Sequence, residues 1–107
     1  EHMRLAQKDL LDFALDPDWK PPKWPDEFWP QPGKEVSDEE WNKTVDGFFE
    51  DLNRAIRFAE DTNIDLLSFV PETENTYLRE VMIIIEHNAY HLGKILDIRK
   101  ALVNWKR

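Results

Sequence analysis

A chain of 107 residues has room for one hydrophobic core and little beyond it. It carries 22 Asp and Glu against 14 Lys and Arg, a net charge of −8, and no basic run longer than two residues. That pattern argues against a surface that binds nucleic acid by neutralising phosphates. With no cysteine, the chain has no disulfide, no thiolate metal ligand and no thiol nucleophile of its own.

The first element predicted is a helix from Glu1 to about Leu15. His2, Leu5, Asp9 and Phe13 share one face, and Met3, Leu10 and Ala14 share a neighbouring one. Asp16-Pro17 ends it, because proline lacks the backbone donor and biases the residue before it away from helix. The periodicity is already in stride at Glu1 with no Ser, Thr, Asp or Asn ahead of it. The expectation is that the helix begins upstream.

Residues 16–36 hold six of the seven prolines and three of the five tryptophans. So much proline forbids regular helix or central strand, while Trp19, Trp24, Phe28 and Trp29 are too much apolar surface to leave in water. A loop strapped over the helices by its aromatics is expected. Its functional counterpart is a lid, a pocket wall or a dimer contact.

Ser37-Asp38-Glu39-Glu40 has the form of a capping box, and a helix is expected from it to about Asp61. Trp41, Val45, Phe48, Leu52, Ala55 and Ala59 form its apolar face, and Gly47 either weakens the helix or admits a close neighbour. A linker follows from Thr62 to Asn75, with no catalytic pattern. The last helix is expected from Asn75 or Thr76, either able to cap it, to about Trp105. It is apolar on two sides. One stripe holds Leu78, Val81, Met82, Ile85, Ala89, Leu92 and Leu96, and the other Ile84, His87, His91, Ile95, Ile98 and Leu102. Two apolar faces call for burial on two sides, and hence for a homodimer.

The chemistry lies in HNAYH, residues 87–91. Histidines at i and i+4 project two imidazoles from one helix face, about one turn apart, where they can share a metal ion. The plainer reading is a pair of core histidines satisfied by hydrogen bonds, but both sit in an apolar stripe, where an imidazole needs a partner. The only other histidine, His2, lies on the inward-reading face of the first helix. Three neutral imidazoles would leave a coordination position open, as catalytic zinc sites do. Such a centre acidifies a bound water or activates a thiol, and zinc, nickel or another first-row divalent ion suits imidazole. Asp9, two turns from His2, is a candidate partner for that imidazole, against the plainer reading of a solvated acid on a helix edge.

HNAYHLGKILDIRKAL at 87–102, the preceding TYLREVMIIIEHNAYH, EHMRLAQKDLLDF at the start and the insertion DPDWKPPKWPDEFWP together resemble the DinB/YfiT-like metal-binding four-helix bundles, in an uncharacterised Trp/Pro-rich branch. The resemblance implies an all-α, up-down-down-up bundle spanning residues 1–107 as one domain, with its first helix absent ahead of Glu1. It implies His2, His87 and His91 as metal ligands, frequent homodimerisation and, in some members, thiol-dependent transferase or isomerase activity with a low-molecular-weight thiol as cosubstrate. It departs at PETEN, residues 71–75, where sequences of this branch tend to carry a Gly/His-rich turn. The leading expectation is a divalent-metal protein, either a thiol S-transferase or a hydrolase. The alternative is a non-catalytic helical dimerisation or binding module with structural or vestigial histidines.

No apolar run approaches the roughly 20 residues that span a bilayer, Val81 to Ile85 being the longest. No segment has the form of a secretory leader. A soluble, cytoplasmic protein without a membrane partner is expected.

Overall fold

The computed structural model describes residues 1–105. Among these residues three helices account for the regular structure: α1 (His2–Leu15), α2 (Asp38–Glu60) and α3 (Tyr77–Ala101). Among the described residues there is no strand, only an isolated antiparallel bridge between Phe69 and Thr76. Nor, among the described residues, is any helix long and apolar enough to cross a membrane. The all-α expectation holds.

The cap predicted for α2 forms. Ser37 Oγ accepts the Glu40 amide at 3.1 Å while the Glu40 carboxylate accepts the Ser37 amide at 3.1 Å, so two otherwise unpaired donors are satisfied reciprocally. On α3 the Thr76 hydroxyl accepts the Arg79 amide at 3.2 Å, making Thr76 the cap. The far end of α3 differs from expectation. The helix stops at Ala101, not near Trp105, because Val103 takes a left-handed φ of 55°. That turn lets Val103 N–H donate to Lys100 O and Asn104 N–H to Arg99 O, closing the helix as a Schellman motif. Glycine usually marks such a stop; valine conceals it.

Side-chain pairs give the helix directions. Arg4 lies against Gly47, Gln7 donates to the Phe48 carbonyl at 2.9 Å, and Arg54 pairs with Asp12 at 2.8 Å. Residue numbers rise together, so α1 and α2 run parallel. A Cβ on Gly47 would meet Arg4 Cδ at 3.0 Å, so this glycine does admit a close neighbour. Between α1 and α3, His2 meets His91 with ring centroids 4.8 Å apart, Gln7 pairs with Asn88, and Asp9 lies in the field of Glu80. The numbers run oppositely and these helices are antiparallel. Parallel neighbours need a long connection between them, and the Pro/Trp-rich segment supplies it.

The apolar core sits toward the C-terminal end of α1. Leu11, Ala14, Phe58, Val70 and Ile84 are buried, with Leu10, Phe13, Ala55, Leu66, Tyr77 and Val81 packed around them. The buried side of α1 is Ala6, Gln7, Leu11 and Ala14; it overlaps the predicted Met3, Leu10 and Ala14 face but is centred on Gln7 and Leu11. Position explains this: α1 packs against both other helices, while α2 and α3 touch little. An apolar groove therefore opens between α2 and α3, lined by Leu52, Ala55, Ile56, Ala59, Val81, Ile84 and Ile85. Of the two stripes on α3, the part with Ile84 and the histidines faces α1, while Ile95, Ile98 and Leu102 further along it are exposed. The other leaves Met82, Ile85 and Leu92 exposed.

Two polar side chains are buried in this frame, Gln7 and Glu80, each 1% exposed. Burial raises the Glu80 carboxyl above its usual range, opposed by Arg79 Nη1 at 2.8 Å and reinforced by the charge of Asp9. Such a group keeps its proton in the fold to a higher pH than in the unfolded chain. Stability therefore falls as pH rises through the interval above 4.5 and stays lower beyond it. Glu80→Gln, which mimics the protonated form, is expected to melt above the wild type at pH 7, the gap closing as pH falls to 4.5. Thermal unfolding across that range checks it; a lower melting temperature at pH 7 would mean that pairing with Arg79 outweighs burial.

Candidate metal centre

At the N-terminal end of α1 the three histidines meet. His2 Nε2 lies 3.2 Å from His87 Nε2, and one ligand atom from each of His2, His87 and His91 falls within 4.8 Å of the others. The ring centroids of His87 and His91 are 4.4 Å apart, as their one-turn spacing requires, and those of His2 and His91 are 4.8 Å apart. Two residues from α3 and one from α1 thus converge where the antiparallel helices bring position 2 opposite positions 87 and 91.

The nitrogens are set up as ligands. His2 Nδ1 lies 2.7 Å from the Phe28 carbonyl oxygen, which can only accept, so Nδ1 carries the proton. In the neutral ring Nε2 is then a bare lone pair aimed at His87. His87 Nε2 can donate its own proton to that lone pair at 3.2 Å, and with both nitrogens bare an ion would sit between them. Metal–nitrogen bonds of about 2.0–2.1 Å in a tetrahedron place neighbouring nitrogens about 3.3–3.4 Å apart, so this separation suits a shared ion. Burial, then the charges of His91 and His2, lowers the His87 pKa; burial, then His2, lowers that of His91. Both effects favour the neutral imidazole that binds metal.

The surroundings are aromatic. Trp29 stacks on His2 with centroids 3.7 Å apart and planes within 2°, and presents its edge to His91 at 6.4 Å. Tyr90 meets His91 edge-on at 5.1 Å, and Lys94 Nζ lies 5.5 Å from the Tyr90 ring. Beneath the histidines, Gln7 bridges all three helices: its Nε2 donates to the Phe48 carbonyl on α2, and its Oε1 accepts Asn88 Nδ2 at 2.9 Å from α3. Asn88 is next to His87 in the chain, so this clamp sets the depth at which α3 presents its imidazoles. His87 Nδ1 and Asn88 Oδ1 are buried without hydrogen-bond partners.

The three histidines come together as expected from the sequence. Asp9 does not join them. Seven residues along a helix is about 10 Å, and the Asp9 carboxylate instead accepts Trp19 Nε1–H at 2.8 Å. Burial raises its pKa, with that hydrogen bond opposing, so it is neither a partner of His2 nor an ordinary solvated acid. A backbone carbonyl, that of Phe28, takes the place proposed for Asp9. Sequence could not single it out, because every residue carries one; the aromatic density of the strap was the only sign.

Among the described residues the site defines an all-helical protein with a three-histidine cluster that could hold a metal ion. No family model, curated protein or solved structure matches this chain.

Proposed function

We propose that this chain is a divalent-metal protein of DinB-like type, with His2, His87 and His91 as ligands and zinc or nickel as the resident ion. The observation that carries the reading is the convergence of three imidazoles, one ligand atom from each within 4.8 Å of the others, with the His2 tautomer fixed by Phe28. A divalent ion held there supplies Lewis-acid chemistry, acidifying a coordinated thiol or water. Coordination acidifies a bound water as it does a thiol, so the reaction class is low-molecular-weight-thiol S-transfer or hydrolysis. The chain has no cysteine, so a thiol would come as a small cosubstrate. Metal analysis of protein purified without a histidine tag tests the centre: one divalent ion per chain is expected, and none, even after incubation with zinc or nickel, refutes it.

The same reading makes α1, α2 and α3 three members of an up-down-down-up four-helix bundle in a cytoplasmic homodimer. Support comes from the parallel α1 and α2 with antiparallel α3, and from exposed Met82 (60%), Ile85 (63%) and Leu92 (63%) along one stripe of α3. A contiguous apolar face of that kind is covered in a stable protein. Sedimentation equilibrium is expected to give a dimer that Ile85→Lys converts to monomer. A monomeric wild type would remove this part of the proposal and leave the metal centre untouched.

A further inference from the structure

Within the reading of a three-histidine centre, we propose that Trp29 is a positioning residue for the metal and that the Pro/Trp-rich strap, through it, controls how many ligands the site presents. His91 and His87 sit on one helix, and their spacing is fixed by α3 itself. His2 lies in the first turn of α1, where no side chain caps the helix, and two contacts from the strap hold its ring. One is the Phe28 carbonyl on Nδ1 at 2.7 Å, the other the Trp29 indole lying flat on the imidazole at 3.7 Å. The carbonyl selects the tautomer and the indole blocks rotation of the ring. Together they leave Nε2 aimed at His87.

The strap is fastened at a second point by Trp19, whose indole N–H donates to Asp9 at 2.8 Å and whose ring meets Phe13 edge-on at 5.0 Å. Between these anchors the segment is exposed and rich in proline. With the distal end at Phe28 and Trp29 detached, His2 loses both partners and the site presents only the two imidazoles of α3. With it seated, the site has three. Ion binding and strap seating are therefore linked, and each strengthens the other by the same factor.

Trp29→Ala is expected to weaken zinc binding, measured by competition with a chromophoric chelator, by about 10–100-fold, the range typical of partners that orient a ligand imidazole. Trp29→Phe keeps a ring on His2 and is expected to stay within about threefold of the wild type. In long-range proton–nitrogen spectra of the metal-free protein, His2 is expected as the Nδ1–H tautomer in the wild type and as a mixture in Trp29→Ala, with His87 unchanged. Zinc affinity of folded Trp29→Ala equal to that of the wild type, while His87→Ala with His91→Ala abolishes binding, would overturn the positioning role and leave the centre standing. Loss of neither would overturn both. Should Trp29→Ala fail to fold, the wild-type spectrum decides, since His2 protonated at Nε2 contradicts the proposal.

Discussion

Zinc or nickel added to the metal-free protein at about 100 times its dissociation constant is expected to raise the folding free energy by about 2.7 kcal/mol. In a chain of this size that is a rise of about 10–20 °C in melting temperature. The size of the effect follows from where the ligands reside. His2 is on α1 and His87 and His91 are on α3, so an ion bound to all three clips two helices that are otherwise held by side-chain packing and the Gln7 clamp. The unfolded chain has no such site, and binding energy appears as folding energy. Replacing both His87 and His91 by alanine leaves a single imidazole. Affinity at this site should then be lost, and the thermal shift should vanish. Calorimetric titration alongside thermal unfolding measures both quantities; a variant that still binds with wild-type affinity would show that the histidines are packing residues.

The second large effect lies in the core. Phe58→Ala is expected to cost about 3–5 kcal/mol, a large part of the roughly 5–15 kcal/mol by which a domain is stable, and to lower the melting temperature by more than about 12 °C. Phe58 is 3% exposed, packs edge-on against Tyr77 at 5.8 Å and shares a cluster with Leu11, Val70 and Ile84. It is the largest buried apolar side chain of α2 and joins that helix to the rest. With α2 and α3 barely touching, little surrounding structure is available to collapse into the vacated space. Thermal and urea unfolding of the variant check this, and a loss below about 1 kcal/mol would mean that the groove beside α3 closes to compensate.

The helices were legible because their signals are local. The capping box at Ser37, the stop at Asp16-Pro17 and the period of α3 each depend on residues within one or two turns. The end of α3 was misread for the complementary reason: a left-handed valine gives no local sign. The inward face of α1 was legible only in part, because periodicity identifies apolar stripes but not how many neighbours a helix has. Gln7, polar and 1% exposed, lies on the buried side because it bridges two helices at once.

The candidate site divides along the same line. Sequence alone determined that two imidazoles share a face of α3, since a four-residue step on a helix admits nothing else, and that His2 was the sole remaining imidazole. Whether His2 reached them depended on the antiparallel register of α1 and α3, set by contacts between residues more than 80 positions apart. The tautomer of His2 depended on a backbone carbonyl of the strap, and the seat of that strap on two tryptophans meeting an aspartate and a histidine. These are long-range choices made by packing and hydrogen bonding, and only the tertiary structure contains them.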